Sequence, residues 1–155
     1  LTGRLYYLGK WLPQDPRLAQ EHLLKAAAAG EFKAHYYLGQ LYRRGYLGQV
    51  EPQKALQHLL LAARNGSPNA DMGLAHMFSE ARGVKVNRIN AFVFAQLAQR
   101  QGVVNAGPVL LAVQSGMTPA ERNIAQPMLE EEAQTRLTGA ALARLQTPED
   151  PQDLL

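Results

Sequence analysis

Ala34-His-Tyr-Tyr-Leu-Gly-Gln-Leu-Tyr42, Gly45-Tyr-Leu-Gly48, Glu51-Pro-Gln-Lys-Ala55 and Ala62-Ala63 before Gly66 make one full copy of a unit that this chain repeats. Gly30, Gly66 and Gly102 stand 36 residues apart. Around them the register holds in four further columns: Ala34, Ala70 and Ala106; Ala26, Ala62 and Ala98; Ala19, Ala55 and Ala91; Asp15, Glu51 and Asn87. Self-similarity at such a period is the mark of a helical repeat, in which stacked helix pairs bury one continuous core.

Each column has a physical meaning. Asp15 and Asn87 suit a helix N-cap, since a short side chain can accept from an orphan backbone N–H; Glu51 suits it less well. Pro16 and Pro52 follow at the first helical position, where a missing N–H costs nothing. Leu23, Leu24, Leu59 and Leu60 supply an apolar stripe on the second helix, and the alanines allow close helix approach. Gly30, Gly66 and Gly102 then end their helices in the left-handed conformation open to glycine. The first helices read Leu5-Tyr-Tyr-Leu-Gly9, Ala34 to Tyr42, and Ala70-Asp-Met-Gly-Leu-Ala75. Gly9 and Gly39 fall inside predicted helices, where glycine costs about 1 kcal/mol relative to alanine. A small residue in that column, Ala75 in the third unit, serves helix–helix contact.

The register sets the domain organisation. Three units occupy about 1–30, 31–66 and 67–102, with the start of a next helix to residue 106. Residues 107–137 form a partial repeat and a capping helix, and 138–155 a flexible tail. Asn105 to Val113 reads as a fourth first-helix cut short at Gly116. Thr118-Pro-Ala-Glu121 opens the capping helix with a capping box; the helix should run to about Leu137, kinked or split at Pro127. From Thr147 onward no apolar periodicity remains.

Composition bounds the function. Among 155 residues, 46% are apolar and 19% charged, which supports a packed core. With no cysteine, thiolate metal sites and thiol catalysis are excluded. There is no signal segment and no apolar run of about 18 residues that could span a bilayer. Because the chain begins at Leu1, it reads as an excised or processed piece. The formal charge of +3 is divided: residues 1–102 hold 13 Lys or Arg against 6 Asp or Glu, and residues 103–155 hold 3 against 7. The front part is therefore the one suited to an anionic partner.

Sequence motifs for chemistry are missing. There is no phosphate loop, nucleophile elbow or zinc-protease helix. His22 and His58 share a column, but no His or carboxylate cluster has metal-ligand spacing. Glu130-Glu-Glu132 points three ways around a helix and reads as a solvated face. The expectation is a binding protein with no enzyme activity, no metal and no cofactor. Arg and Tyr most often dominate interfaces, so Arg43, Arg44 and Tyr46, at the end of one helix and the start of the longest loop, are the first candidates for partner contact. Arg82, Lys85 and Arg88 occupy the corresponding rim of the next unit, and Tyr7, Trp11 and Tyr37 line first helices. The same rim residues also suit a helix C-terminus, where the dipole favours cations.

The columns resemble the Sel1-like repeat family, a relative of tetratricopeptide repeats. Unit two matches at Ala34, Leu38, Gly39, Tyr42, Gly45, Glu51, Ala55, Ala62, Ala63 and Gly66. Unit one lacks the glycine loop, and unit three has Ala75 for the glycine of Leu-Gly. The resemblance implies an all-α, right-handed solenoid of antiparallel helix pairs with a C-terminal capping helix. Wording is closer still to one family. His35 to Gly48, Glu51 to Ala55, His58-Leu-Leu60, Phe92-Val-Phe-Ala-Gln-Leu97 and Thr118 to Asn123 resemble the C-terminal repeats of the alginate-biosynthesis scaffold lipoproteins. That resemblance implies a periplasmic scaffold, anchored to the outer membrane by an N-terminal lipid outside this sequence. Its implied partners are the alginate acetyltransferase and, through the longer protein, the outer-membrane alginate porin. Direct binding of alginate, a polyanion, by the basic tyrosine-bearing front part is a second reading, and a generic Sel1-like adaptor a third. Nucleic acid is disfavoured, because the basic residues are dispersed and no reading motif is present.

Overall fold

The computed structural model describes residues 15–80 and 85–145, with side chains as far as Thr138. Among the described residues there are seven helices and no strand. They are α1 (Pro16–Ala28), α2 (Phe32–Arg44), α3 (Pro52–Arg64), α4 (Pro68–Glu80), α5 (Arg88–Arg100), α6 (Ala106–Ser115) and α7 (Pro119–Leu145). The all-α helical-repeat class read from the sequence is the one found. The chain forms two compact units, one up to Ser67 and one from Pro68.

The repeat columns recur as identical hydrogen bonds. After α1, Glu31 N–H donates to the Ala26 carbonyl and Gly30 N–H to Ala27, at 3.0 and 3.1 Å. Ser67 and Gly66 repeat this on Ala62 and Ala63, and Val103 and Gly102 on Ala98 and Gln99. This pair of hydrogen bonds satisfies the last helical carbonyls and requires a left-handed residue between; Gly30, Gly66 and Gly102 have φ of 93°, 97° and 86°. At the other end, Asp15 accepts from Leu18 N–H at 2.9 Å and Asn87 from Asn90 N–H at 3.0 Å, whereas Glu51 makes no side-chain cap bond. The loop inside the repeat closes the same way twice: Glu51 N–H donates to the Tyr42 carbonyl at 3.0 Å, and Asn87 N–H to the Phe78 carbonyl at 2.9 Å.

Helix approach is closest at Gly39. A Cβ there would lie 2.6 Å from Leu59 Cγ and 3.3 Å from the Leu59 backbone nitrogen. Leu59 is fully buried and has nowhere to retreat. One repeat later the same columns hold Ala75 and Ala95, both fully buried. A methyl gained on the first helix is thus matched by a smaller residue on the second. Ala34 and Ala70 are buried as expected.

The second unit is closed by α7. Thr118 and Glu121 form the expected capping box, Glu121 N–H donating to the Thr118 hydroxyl at 3.1 Å and Thr118 N–H to the Glu121 carboxylate at 2.9 Å. The helix does not end near Leu137 and is not divided at Pro127; it runs on to Leu145. Ala125 and Leu129 pack its inner face. Beyond them Arg136 grips Asp71 of α4 with two bonds of 2.8 and 2.9 Å and donates through Nε to Glu132 at 2.9 Å. Gln101 donates to the same Asp71 carboxylate at 2.9 Å. Asp71 is fully buried. Burial pushes its carboxyl above the ordinary range, while Arg136 and Gln101 hold it back. Burial also opposes the Arg136 charge, and the bonds to Asp71 and Glu132 more than restore it. The Glu130 to Glu132 run is therefore more than a solvated face. Glu130 pairs with Arg100 at 2.7 Å, and Glu132 belongs to the buried network.

Two stability outcomes follow from these contacts. Gly39→Ala should destabilise by about 1–3 kcal/mol through overpacking, despite alanine's better helix propensity, and the loss should shrink in the Leu59→Ala background. A double-mutant cycle in urea reads this coupling; strictly additive effects would remove the close-approach account. Arg136→Met should cost about 3–5 kcal/mol, because it leaves a buried carboxyl without its cation. Asp71→Ala combined with Arg136→Met should cost less than Arg136→Met alone, measured by the same denaturation.

Candidate interaction surface

The rim at the end of α2 is built by its local backbone. Gly45 adopts φ 73° and terminates the helix, its N–H bonding the Leu41 carbonyl. Tyr46 N–H reaches the same carbonyl at 3.3 Å. With the bond from Glu51 to Tyr42, the connection is a short closed loop carrying Tyr46 and Val50, which are 36% and 48% exposed. Arg44 is exposed at the last helical position, and Arg43 is half-buried beside it. Both cations sit at the negative end of the helix dipole.

Arg43 is also the top of a hydrogen-bonded ladder. Its Nη1 donates to Gln40 Oε1 at 3.0 Å, and Gln40 Nε2 donates to the Tyr36 hydroxyl at 3.1 Å. Tyr36 meets Tyr37 edge-to-face at 5.2 Å between ring centroids. Tyr36 and Tyr37 are both half-buried. The first unit thus brings Arg43, Arg44, Tyr46 and Tyr37 onto one helix and its loop. In the second unit Lys85 and Arg88 are exposed. Arg88 opens α5 and lies against the end of α6: a Cβ on Gly116 would be 3.0 Å from its guanidinium Nε. Tyr7, Gly9, Trp11 and Arg82 lie outside the described residues. Tyr42 is core, 4% exposed, with its hydroxyl accepting from Gln20 at 3.1 Å.

Column reasoning missed the partner of His58. It is His35 of α2, and their Nδ1 atoms are 2.9 Å apart. His58 also stacks on Tyr42 at 5.6 Å, and the Lys54 ammonium sits 5.5 Å from the Tyr42 ring centroid. Burial, then the neighbouring His35 and Lys54, lowers the His58 pKa to about 4; burial lowers that of His35. The signal in the sequence was weak, because the two residues lie 23 positions apart on facing helices. The next repeat gives the comparison: Tyr42 and His58 correspond to Phe78 and Phe94, which stack at 6.0 Å. Arg136 lies over Phe94 at 6.0 Å, much as Lys54 lies over Tyr42.

Ser79 and Ser115 bond carbonyls of their own helices, at His76 and Ala112, rather than a base. No group of three or more His, Asp or Glu among the described residues could hold a metal ion, and no described helix is long and apolar enough to cross a membrane.

Comparison with known proteins supplies the family. The Sel1 repeat model matches residues 1–31, 32–67 and 68–103. The chain is similar to the alginate biosynthesis protein AlgK of Pseudomonas aeruginosa, with 54% identity over 97% of this chain and 32% of that protein. Against AlgK of Azotobacter vinelandii it is 52% identical over 88% of the chain and 29% of the relative. Against AlgK of Pseudomonas syringae pv. tomato the figures are 45%, 100% and 34%. The chain spans about a third of the length of these relatives. With three family matches in register with the glycine and alanine columns, this chain belongs to the Sel1 repeat family.

Proposed function

We propose that this chain is a non-catalytic interaction module of alginate modification and export, docking the alginate acetyltransferase through the rim formed by Arg43, Arg44 and Tyr46. The observation that carries the reading is the likeness, over most of the chain, to proteins named for alginate biosynthesis. The rim supports it physically. Tyr46 offers a partly exposed aromatic anchor on a loop held by backbone bonds, so little ordering entropy is lost on binding. Arg44 adds an exposed cation two residues before it, and Tyr and Arg are both enriched among interface hot spots. Tyr37, on the same helix as Arg43 and Arg44, is a further candidate contact; Lys85 and Arg88 are candidates in the other unit, and Tyr7, Trp11 and Arg82 are candidates from the sequence alone. The setting we infer is the periplasm, with outer-membrane association through a lipid anchor in a longer protein and a link there to the alginate porin.

Direct alginate binding is a second reading, favoured by the ladder from Arg43 through Gln40 to Tyr36. It sets the Tyr36 ring and the Arg43 cation on one helix face, and a cation with an aromatic ring suits a uronate chain. Titration with alginate oligomers at low and high salt tests it; no binding at low salt removes it.

The docking reading is tested by pull-down of the acetyltransferase with the folded chain. Tyr46→Ala should weaken capture at least about tenfold, as expected for a hot-spot residue. Arg44→Glu should weaken it further at low salt than at high salt. Unchanged capture by both variants would move the docking face elsewhere, and no capture by the wild type would end the reading.

A further inference from the structure

The His35–His58 contact is unused by the docking reading. Its rings are 25° from coplanar, with centroids 5.2 Å apart and Nδ1 atoms 2.9 Å apart. The two nitrogens therefore lie between the rings, and their in-plane lone pairs meet head-on. This is the geometry of one shared proton: one Nδ1 donates and the other accepts. It is not the geometry of two ligands angled toward a third atom.

Such a contact tolerates a proton count of one. If both Nδ1 atoms are protonated, two N–H donors and two positive charges face each other at hydrogen-bond distance. No carboxylate is among the charges that act on either ring. On α3, the facing cation is Lys54, whose ammonium is tied to Glu51 at 3.3 Å. On α2, Phe32 lies 6.3 Å from the His35 ring and Tyr42 covers His58. On α1, Gln20 reaches the Tyr42 hydroxyl, His22 is half-buried, and Arg17, Glu21 and Lys25 are exposed. The charges that act on His58 are His35 and Lys54, and both disfavour its protonation.

The next repeat shows that packing alone does not require these histidines. There, Phe78 and Phe94 stack in the columns of Tyr42 and His58, and the column of His35 holds Asp71, bound by Arg136. A phenylalanine at position 58 thus has a working precedent in the same fold.

We propose that the His35–His58 contact is an acid-operated latch on the α2–α3 helix pair, closed while the two rings share one proton and opened when both are charged. The pair's response belongs to the two rings jointly. In the unfolded or opened chain each histidine titrates near its ordinary 6.5; in the closed state His58 is held at about 4 and His35 is lowered. The open state therefore binds more protons in that window, so closure is complete above about pH 6.5 and is lost progressively as the pH falls toward 4. Because α2 and α3 bracket the loop of Tyr46, opening loosens the rim. That consequence rests on the docking reading, whereas the latch itself does not.

Amide hydrogen exchange of the full chain, corrected for intrinsic rates, tests the latch at about pH 7.5 and about pH 5, where linkage predicts at least about a tenfold loss of α2 and α3 protection. His58→Phe with His35→Ala should abolish most of that pH step, and His58→Phe alone should reduce it to the part that burial of His35 supplies, while α4 and α5 behave alike in all three proteins. An equal step in the variants, or no step in the wild type, overturns the latch. If the variants fail to fold, imidazole NMR titration of the wild type decides. One ring still neutral near pH 5 supports the latch; both rings titrating independently near 6.5 overturns it. Acetyltransferase capture at the two pH values is read separately. Loss at low pH in the wild type but not in His58→Phe links latch to rim, while absence of capture at high pH counts against the docking reading alone.

Discussion

The closeness of paired helices is the constraint on which the repeat depends. At Gly39 the backbone of α2 comes so near Leu59 that one methyl group does not fit. A helix pair this tight tolerates little play in register, since interiors pack at near-crystalline density. The backbone bonds at either end are consistent with that demand. The glycine cap ends each second helix at a fixed point, and the bond from Glu51 to Tyr42, or from Asn87 to Phe78, fixes where the next helix begins. Small residues set the distance, caps set the phase, and the repeat is what satisfies both.

The legible part of the fold was the part written in local chemistry. Glycine at a left-handed C-terminus, Asp or Asn at an N-cap, proline at a first turn and a Thr–Glu capping box each act within a few residues. Their sequence spacing is therefore their structural spacing. Asp71 and Arg136 are 65 positions apart, and nothing local marks them as partners. Read in isolation, Asp71 is an acidic residue in a first turn, and Glu132 is one of three consecutive glutamates. Only the packing of α7 brings them into one buried network. Pro127, where the sequence leads one to expect a kink or a split, does not split the helix. A proline inside a helix usually breaks it, yet α7 continues past Pro127 with Ala125 and Leu129 buried on either side. Here tertiary anchoring outweighs local propensity.

The candidate site was legible in a different way. Arg43, Arg44 and Tyr46 fall outside the columns the fold needs. Their placement at a helix end and on a loop closed by its own backbone then follows from Gly45. What the sequence did not convey is that Arg43 is engaged along its own helix through Gln40 and Tyr36, which makes it partly a builder of the surface it belongs to. Arg88, predicted on the corresponding rim, has its guanidinium against the end of α6.

The column of His35 and Asp71 joins these observations. Both residues are buried, both are polar, and both stand one residue after the small alanine of the first helix. A buried polar group must be bonded or it costs stability, and the two repeats meet that requirement differently. Asp71 takes a cation from α7 and so fastens the last helix to the body of its unit. His35 takes a second histidine from its own helix pair. The frame of glycines and alanines is common to both solutions and insensitive to which is used. A repeat of this kind can therefore change the polar occupant of one interior column, and with it the response of a unit to charge, without disturbing the fold that presents its surface.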